Sequence, residues 1–500
     1  MKRSIYFRLA IFAAMTALSA ASASAQTDFE KFREKQAEQF NSFRKKQHEE
    51  YDAFRKRIND EYASFVERAW NEYKVFKGIP LPVEPEPVPP VVMPEEDKDK
   101  PVEDNPIVIE EVVEPIKPEP QPEPIKPIEP QPEPIKKHTI VFYGTSMEVR
   151  LEGKSRFTLK NTDESAIADA WRVMGDGRFD ATIVDCLDLR AKYHLSDWAY
   201  LQLINELSTD FFGTQQNEAT LMTAFIYCQS GYKMRLAKSG NRVTMLFATK
   251  HLIFNYPYFS LEGDEDYYYV LGEKVNNLHI CQASFPAEKS LSLYANENPL
   301  FSEQTTAVKN RKSANTELEC ATLSEKHLLT YYASYPSSML NDNPMTRWAM
   351  YANTPMSSVA RESLYPHLNR VMSQLTNTEK VMVLLDWVQT AFVYEYDDKV
   401  WGGDRAFFAD ESLYYPYCDC EDRSILFTRM VRDLVGLPCI LVYYPGHLAA
   451  AVCFDENVNG DYIMLGNKRF VVCDPTYINA PIGATMPGMD NSSAKVILLD

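Results

Sequence analysis

The period of the apolar residues changes several times along the chain, and each change predicts a different element. Between 27 and 78 the period is eleven: Phe29, Phe40, Tyr51, Tyr62 and Tyr73 recur at that spacing. Phe32, Phe43, Phe54, Phe65 and Phe76 repeat it three positions later. Eleven residues complete three helical turns, so all these aromatics fall on one stripe of a straight or slightly right-handed helix. No breaker interrupts it before Gly78, which predicts a stalk about 75 Å long. Its apolar stripe needs a partner surface, with self-association the first choice. From 79 to 137 the periodicity dissolves into Pro, Glu and Val, and the stretch from Glu119 to Lys126 is repeated from Glu129 to Lys136. That composition predicts a disordered, polyproline-like linker able to reach about 150 Å.

From 138 onward, helix-period and strand-period stretches alternate. His138 to Tyr143 reads as a strand; Ala166 to Met174, Asp197 to Leu207 and Asn217 to Gln229 read as helices; Tyr232 to Ala237 and Val243 to Ala248 read as strands. Residues 301–375, rich in Tyr, Ser, Asn and Met, have little clean periodicity and are expected to connect two halves. The capping box from Thr376 to Glu379 then starts a helix. Apolar residues at helical spacing from Ile425 to Leu434 stop at Gly436, and strands follow at Pro438 to Tyr444, Leu448 to Phe454 and Arg469 to Cys473. The order helix, glycine, strand, strand thus occurs twice. Aligning Gly231 with Gly436 without gaps sets Gln215 opposite Cys420 and Arg242 opposite His447. The expectation is an α+β domain over 138–300, a candidate degenerate copy of the α+β domain over 376–500.

A chain of 500 residues that is 45% hydrophobic is long enough for two or three domains. The net charge of −18, with no basic patch to offset it, argues against a nucleic-acid partner. Lys2 and Arg3, a short apolar core and Ala23-Ser24-Ala25 have the form of a secretory signal over 1–25, cleaved before Gln26. The mature chain is therefore expected to be periplasmic or secreted, with no transmembrane segment and no lipid anchor. Nine cysteines give no disulfide framework, and the odd count leaves at least one thiol free. Cys and His do not fall at zinc-site spacing, and Asp455 to Asp461 lacks the full calcium-loop pattern, so neither metal nor cofactor is expected. Cys439, Cys453 and Cys473, each inside a strand pattern, are assigned to packing.

Three polar residues stand at element ends. Cys420 opens the predicted helix in Cys420-Glu421-Asp422-Arg423-Ser424, His447 opens a strand in Pro445-Gly446-His447-Leu448, and Asp474 ends one in Cys473-Asp474-Pro475-Thr476. A helix N-terminus and a neighbouring imidazolium lower a thiol pKa, so Cys420 is expected to be a thiolate. His447 would hold that ion and later protonate a leaving amine, while Asp474 would fix the ring tautomer. The Cys420 amide would meet the oxyanion, with Trp401, Tyr414, Tyr415 and Tyr417 as candidates for a second donor.

Over roughly 376–490 these motifs, with the helix from Lys380 to Val388 before them, resemble the transglutaminase-like superfamily, whose core is a papain-like α+β fold. The resemblance implies Cys420 as nucleophile, His447 as general base and Asp474 as orienting carboxylate. It implies an acyl-enzyme formed on protein or peptide amides in the cell envelope, resolved by water (a peptidase or amidase) or by an amine (a cross-linking enzyme). One departure is Cys418, where the family often has Gly two positions before the nucleophile; it sets a second sulfur nearby. The competing expectation is a non-catalytic envelope scaffold or peptide-binding protein that retains the fold.

Overall fold

The computed structural model describes residues 46, 49–82, 88–98, 100–109, 111–115, 136–272, 277–295 and 297–500. The expected signal segment, most of the stalk before 49 and linker residues 116–135 lie outside the described residues. The chain is mixed α+β. It begins with α1 (residues 49–66), β1 (Trp70–Lys74), β2 (Asn105–Pro106), β3 (Glu111–Val113) and the hairpin β4 (Lys137–Phe142) and β5 (Thr145–Arg150). Four helices follow, α2 (Glu164–Met174), α3 (Asp180–Lys192), α4 (Asp197–Phe212) and α5 (Gln216–Gln229), then β6 (Met234–Ser239), β7 (Arg242–Thr249), β8 (Leu252–Ile253), β9 (Tyr258–Ser260), β10 (Tyr267–Val270) and β11 (Asn277–Cys281). The middle holds β12 (Lys309–Lys312), β13 (Glu319–Thr322), α6 (Lys326–Ala333), β14 (Ser338–Met339), α7 (Thr346–Asn353), α8 (Ser358–Val371) and α9 (Asn377–Thr390). The last part runs through β15 (Val393–Tyr394), α10 (Asp397–Val400), α11 (Ala409–Tyr414), β16 (Tyr417–Cys418), α12 (Cys420–Leu434), β17 (Cys439–Tyr444), β18 (His447–Cys453), β19 (Asp461–Leu465), β20 (Lys468–Cys473) and β21 (Lys495–Leu498).

Two sheets organise the molecule, with strand orders β1-β11-β6-β7-β10-β9 and β2-β19-β20-β18-β17-β21-β3. Both are curled. In the first, Lys74 of β1 pairs at one edge while Phe76 bridges to Tyr258 of β9 at the other. Two residues span about 7 Å, whereas a flat sheet would hold those edges roughly 24 Å apart. In the second, the chain passes from β2 at one edge to β3 at the other within a few residues, which a flat sheet likewise forbids. Each sheet therefore closes on itself in a barrel-like form, sealed by a segment from the N-terminal part of the chain. Closure hides edges that would otherwise offer unpaired backbone groups.

The two halves follow one plan. From the helix onward the order in each sheet is third-fourth-second-first-fifth strand, and all neighbours among these five are antiparallel. The ends of α5 and α12, the starts of β6 and β17, and the starts of β7 and β18 share one offset of 205 residues. Gly231 and Gly436, at φ 90° and 77°, each reverse the chain just past the helix in a conformation that a side chain strains. Barrel interiors match as well. Ala237, Leu246 and Tyr268 line the first, while Val442, Ala451 and Phe470 line the second.

Two expectations are corrected here. The helix expected to continue to 78 stops at 66, and residues 70–74 form a strand. Strand pairing with β11 gives those backbone groups partners that a lone helix could not match with buried side chains. Nor do the aromatics share one outward stripe: Tyr62 is buried against Trp171 and Phe285, at ring-centroid distances of 4.6 and 4.5 Å, while Phe65 is 53% exposed. The surface that α1 needs is supplied by its own chain through Ile58, Tyr62, Ala63 and Val66. Tyr62→Ala is accordingly expected to cost about 3–5 kcal/mol of stability, and Phe65→Ala less than about 0.5, read from urea midpoints.

The linker expected over 79–137 is also partly structured. Its Ile107, Ile109 and Val113 pack onto the second half, and β2 and β3 extend that sheet. Each contributes only two or three paired residues between prolines, too few to leave a period of two in the sequence. No helix among the described residues is long and apolar enough to cross a membrane.

One buried cluster runs from α1 through α2–α5 and α7 into Cys420, Ile425, Leu441, Leu448 and Ile497, so the two halves share a core. On the other side of α12, Leu426, Phe427, Met430 and Val431 pack against α8 and α9. Along β17 the period of two separates Leu441, facing α12, from Ile440, Val442 and Tyr444, facing the barrel interior. This pinches the start of α12 against the start of β18.

Candidate active site

Asp419 caps α12. Its Oδ1 accepts the Glu421 and Asp422 backbone N–H groups at 3.1 and 3.4 Å, and Asp422 returns a carboxylate oxygen to the Asp419 N–H at 3.3 Å. Cys420 is thus the first helical residue, as the sequence predicts. The Ser424 hydroxyl, one turn on, donates to the Leu448 carbonyl at 2.8 Å and ties the helix to the strand that His447 opens.

His447 Nε2 and Asp474 Oδ2 are 2.8 Å apart, and both residues are 2% exposed. The other ring nitrogen, Nδ1, is buried and has no hydrogen-bond partner. Asp474 Oδ1 accepts from the Thr476 and Tyr477 N–H groups at 2.8 and 3.3 Å, which fixes the carboxylate at the end of β20. The structure therefore brings His447 and Asp474 into direct contact at the ends of β18 and β20, with Cys420 at the neighbouring start of α12 and no hydrogen bond between its thiol and either imidazole nitrogen.

Two further residues hold this arrangement, and neither was singled out from sequence. The buried amide of Gln389 donates to the Asp474 and Ala480 carbonyls at 3.0 and 3.2 Å and accepts from the Asn479 N–H at 3.1 Å. Arg423, 2% exposed, donates to the carbonyls of Gln389 at 3.0 Å, Phe392 at 2.8 Å and Pro475 at 3.5 Å. A buried Arg inside the run after Cys420 was the available signal, since such a group must find acceptors.

The electrostatics differ from expectation. Burial pushes the Cys420 thiol well above its usual value, and the Asp419, Glu421 and Asp474 carboxylates push the same way. The lowering pull of the Leu448 backbone N–H is outweighed, so these surroundings favour the thiol over the expected thiolate. Cys418 is buried as well, and burial raises its thiol with Arg423 pulling it back. All nine cysteines are free thiols. Among the candidate oxyanion donors, Trp401 and Tyr415 meet edge to face with centroids 4.8 Å apart and share Arg405. Tyr414 lies beneath Lys309, and Tyr417 is 39% exposed on β16.

An acidic group flanks the nucleophile. Asp397, Asp419 and Glu421 each offer an oxygen, all within 4.8 Å of one another, and these oxygen donors could hold a hard divalent cation. Asp397 Oδ2 accepts the Arg405 N–H at 2.6 Å, Asp422 accepts the Phe407 N–H at 2.9 Å, and Glu421 accepts Trp348 Nε1 at 2.6 Å. Arg347 pairs with the neighbouring Asp404 at 2.7 Å. The grouping joins the start of α10 to the cap and first turn of α12, and residues that far apart in sequence leave no metal-site spacing to read.

Burial, followed by repulsion among these carboxylates and from Asp404, raises Asp397, Asp419, Glu421 and Asp422. Burial likewise pushes Asp410 up to about 6 and Glu411 up to about 7. Each group keeps a proton in the folded chain at a pH where the unfolded chain has released it. Their stabilisation is complete below the unfolded values near 4 and drains away as pH rises through about 6 to 8. His251, which burial holds down at about 3, works in the opposite sense below its unfolded value, but it is a single group. The urea midpoint is therefore expected to fall between about pH 5 and pH 8; a midpoint that rises over this range would contradict the assignment.

Comparison with protein-family models, curated proteins and solved structures finds no significant match to this chain.

Proposed function

We propose that the chain is an exported thiol enzyme of transglutaminase-like, papain-like type that forms an acyl-enzyme on Cys420 from a protein or peptide amide. The observation that carries this reading is the wiring of His447: Nε2 is committed to Asp474, while Nδ1 is buried without a partner at the start of the strand to which Ser424, one turn after Cys420, is tied. Asp474 fixes the ring, and His447 takes the thiol proton as sulfur attacks the substrate carbonyl. A C–S bond forms, the C–N bond breaks, and the proton passes to the leaving amine. Water or an amine then attacks the thioester, with hydrolysis favoured because excluding water demands a specialised tunnel. The first half, with Gln215 and Arg242 at the positions of Cys420 and His447, is a non-catalytic copy of the same core; its topology and shared offset support this.

The deciding experiment is the pH dependence of Cys420 alkylation, followed by mass spectrometry, in the native chain and in His447→Ala. A rate that persists well below pH 8 and collapses in the variant supports the enzyme. The raised thiol favours a second reading, a peptide-binding scaffold, which predicts an ordinary thiol profile unchanged by the substitution.

A further inference from the structure

The proline-rich segment over residues 88–93 runs across the two loops that present His447 and Asp474. The Val88 N–H donates to the Gly446 carbonyl at 3.0 Å, one residue before His447. The Met93 N–H donates to the Ile478 carbonyl at 2.9 Å, and the Ile478 N–H donates to the Val91 carbonyl at 2.8 Å, so that Val92 and Ile478 pair in parallel. Met93 is buried with Tyr477, Ala480 and Met486, and Val88 and Val91 pack against that cluster, while Val92 is 61% exposed. Tyr477 connects the cluster to the site, because its N–H also binds Asp474.

These contacts are those of a bound peptide. Backbone bonds to an extended segment supply the affinity, and apolar pockets for selected side chains supply the specificity. Pro89, Pro90 and Pro94 have no N–H to leave unpaired and restrict the backbone to an extended form, which lowers the entropy lost on seating. The flanks are held independently: the Ile79 carbonyl accepts the Asn255 N–H at 2.8 Å, and the Ile107 N–H donates to the Tyr462 carbonyl at 2.7 Å. Between these anchors, 88–93 makes few bonds and buries one small cluster, so it can open without unfolding the core. Its seating accompanies a closed site, with Cys420 7% and His447 and Asp474 2% exposed.

We propose that residues 88–93 are an internal occupant of the substrate groove. The strap closes the His447–Asp474 side of the site, and the substrate is an extended peptide with apolar residues and interspersed prolines that takes the same three backbone bonds once the strap lifts. This rests on the acyl-transfer reading of Cys420, His447 and Asp474.

The test uses the full chain and measures iodoacetamide modification of Cys420 by mass spectrometry. Val88→Asp with Met93→Asp places charges against Tyr477 and Met486 and is expected to raise the rate at least about tenfold by opening the site. Val92→Asp, at the exposed position, should leave the rate unchanged. A synthetic peptide of residues 86–95 added to the double variant should slow it again, and the same peptide carrying both aspartates should not. Equal rates in native chain and double variant, or no protection by the native peptide, overturn the proposal.

Hydrogen exchange on the unmodified chain gives a second reading that does not depend on the variants folding. Amides of 88–93 and Ile478 should open together and faster than those of β17 and β18; exchange only by global unfolding overturns the proposal. Alkylation needs no turnover, so the two claims separate. Strap-dependent rates with a pH profile indifferent to His447→Ala would sink the enzyme and leave the strap, and the converse would sink the strap alone.

Discussion

Asp474→Asn is expected to slow acylation of Cys420 by on the order of 10³ to 10⁴-fold while leaving the fold in place. The asparagine is nearly isosteric, and its carbonyl oxygen can still accept from the Thr476 and Tyr477 N–H groups that now bind Oδ1. The loop therefore keeps its geometry. What changes is the atom 2.8 Å from His447 Nε2: an amide NH₂ donates where a carboxylate accepts. That turns the ring proton onto Nδ1, so the nitrogen left to take the thiol proton no longer has a lone pair. It also removes the negative charge that stabilises the imidazolium. Single-turnover acylation by an activated peptide ester, with the label located on Cys420, measures the loss. Asp474→Ala differs in kind, because it strands two buried N–H groups at about 1–3 kcal/mol each. A change in acylation below about tenfold for the asparagine variant, with the melting temperature preserved, would remove Asp474 from the mechanism.

How far the sequence carried this site depends on what kind of signal each part gives. The positions of Cys420, His447 and Asp474 at element ends were legible because such ends are marked by local cues: Asp419 as a cap, Gly446 before the strand, Pro475 after it. The capping box at Thr376 was legible for the same reason and is present in the structure. The barrel-like closure of the two sheets was not legible. β2 and β3 are two and three residues long, too short for a period of two to register, and they lie in a run whose composition alone reads as linker. The aromatic repeat pointed to a partner surface without saying whose, and for α1 the partner is its own chain. The state of the thiol was missed for a different reason. Helix potential is a general property of α12, whereas the charges that oppose it include Asp474, which folding alone brings near.

Arg423→Met tests how the site is held together. The guanidinium is 2% exposed and has no carboxylate beside it among its hydrogen-bond partners; its work is done on the carbonyls of Gln389, Phe392 and Pro475. Methionine fills much of the same space along the stem but leaves those acceptors unpaired. Hydrogen bonds from a charged donor contribute about 1.5–3 kcal/mol each, and two of the three are short. The desolvation of a buried cation opposes them and is relieved by the substitution. The net expectation is a loss of about 3 kcal/mol, seen as a lower urea midpoint at unchanged slope. The loss should not stay local. Pro475 follows Asp474, and Gln389, whose carbonyl Arg423 holds, grips the Asp474 carbonyl through its own side chain. Acylation of Cys420 is therefore expected to fall further than the folded fraction at the same urea concentration. Equal losses would mean that Arg423 stabilises the fold without positioning the carboxylate, and a stability change under about 1 kcal/mol would mean that water replaces the guanidinium at those carbonyls.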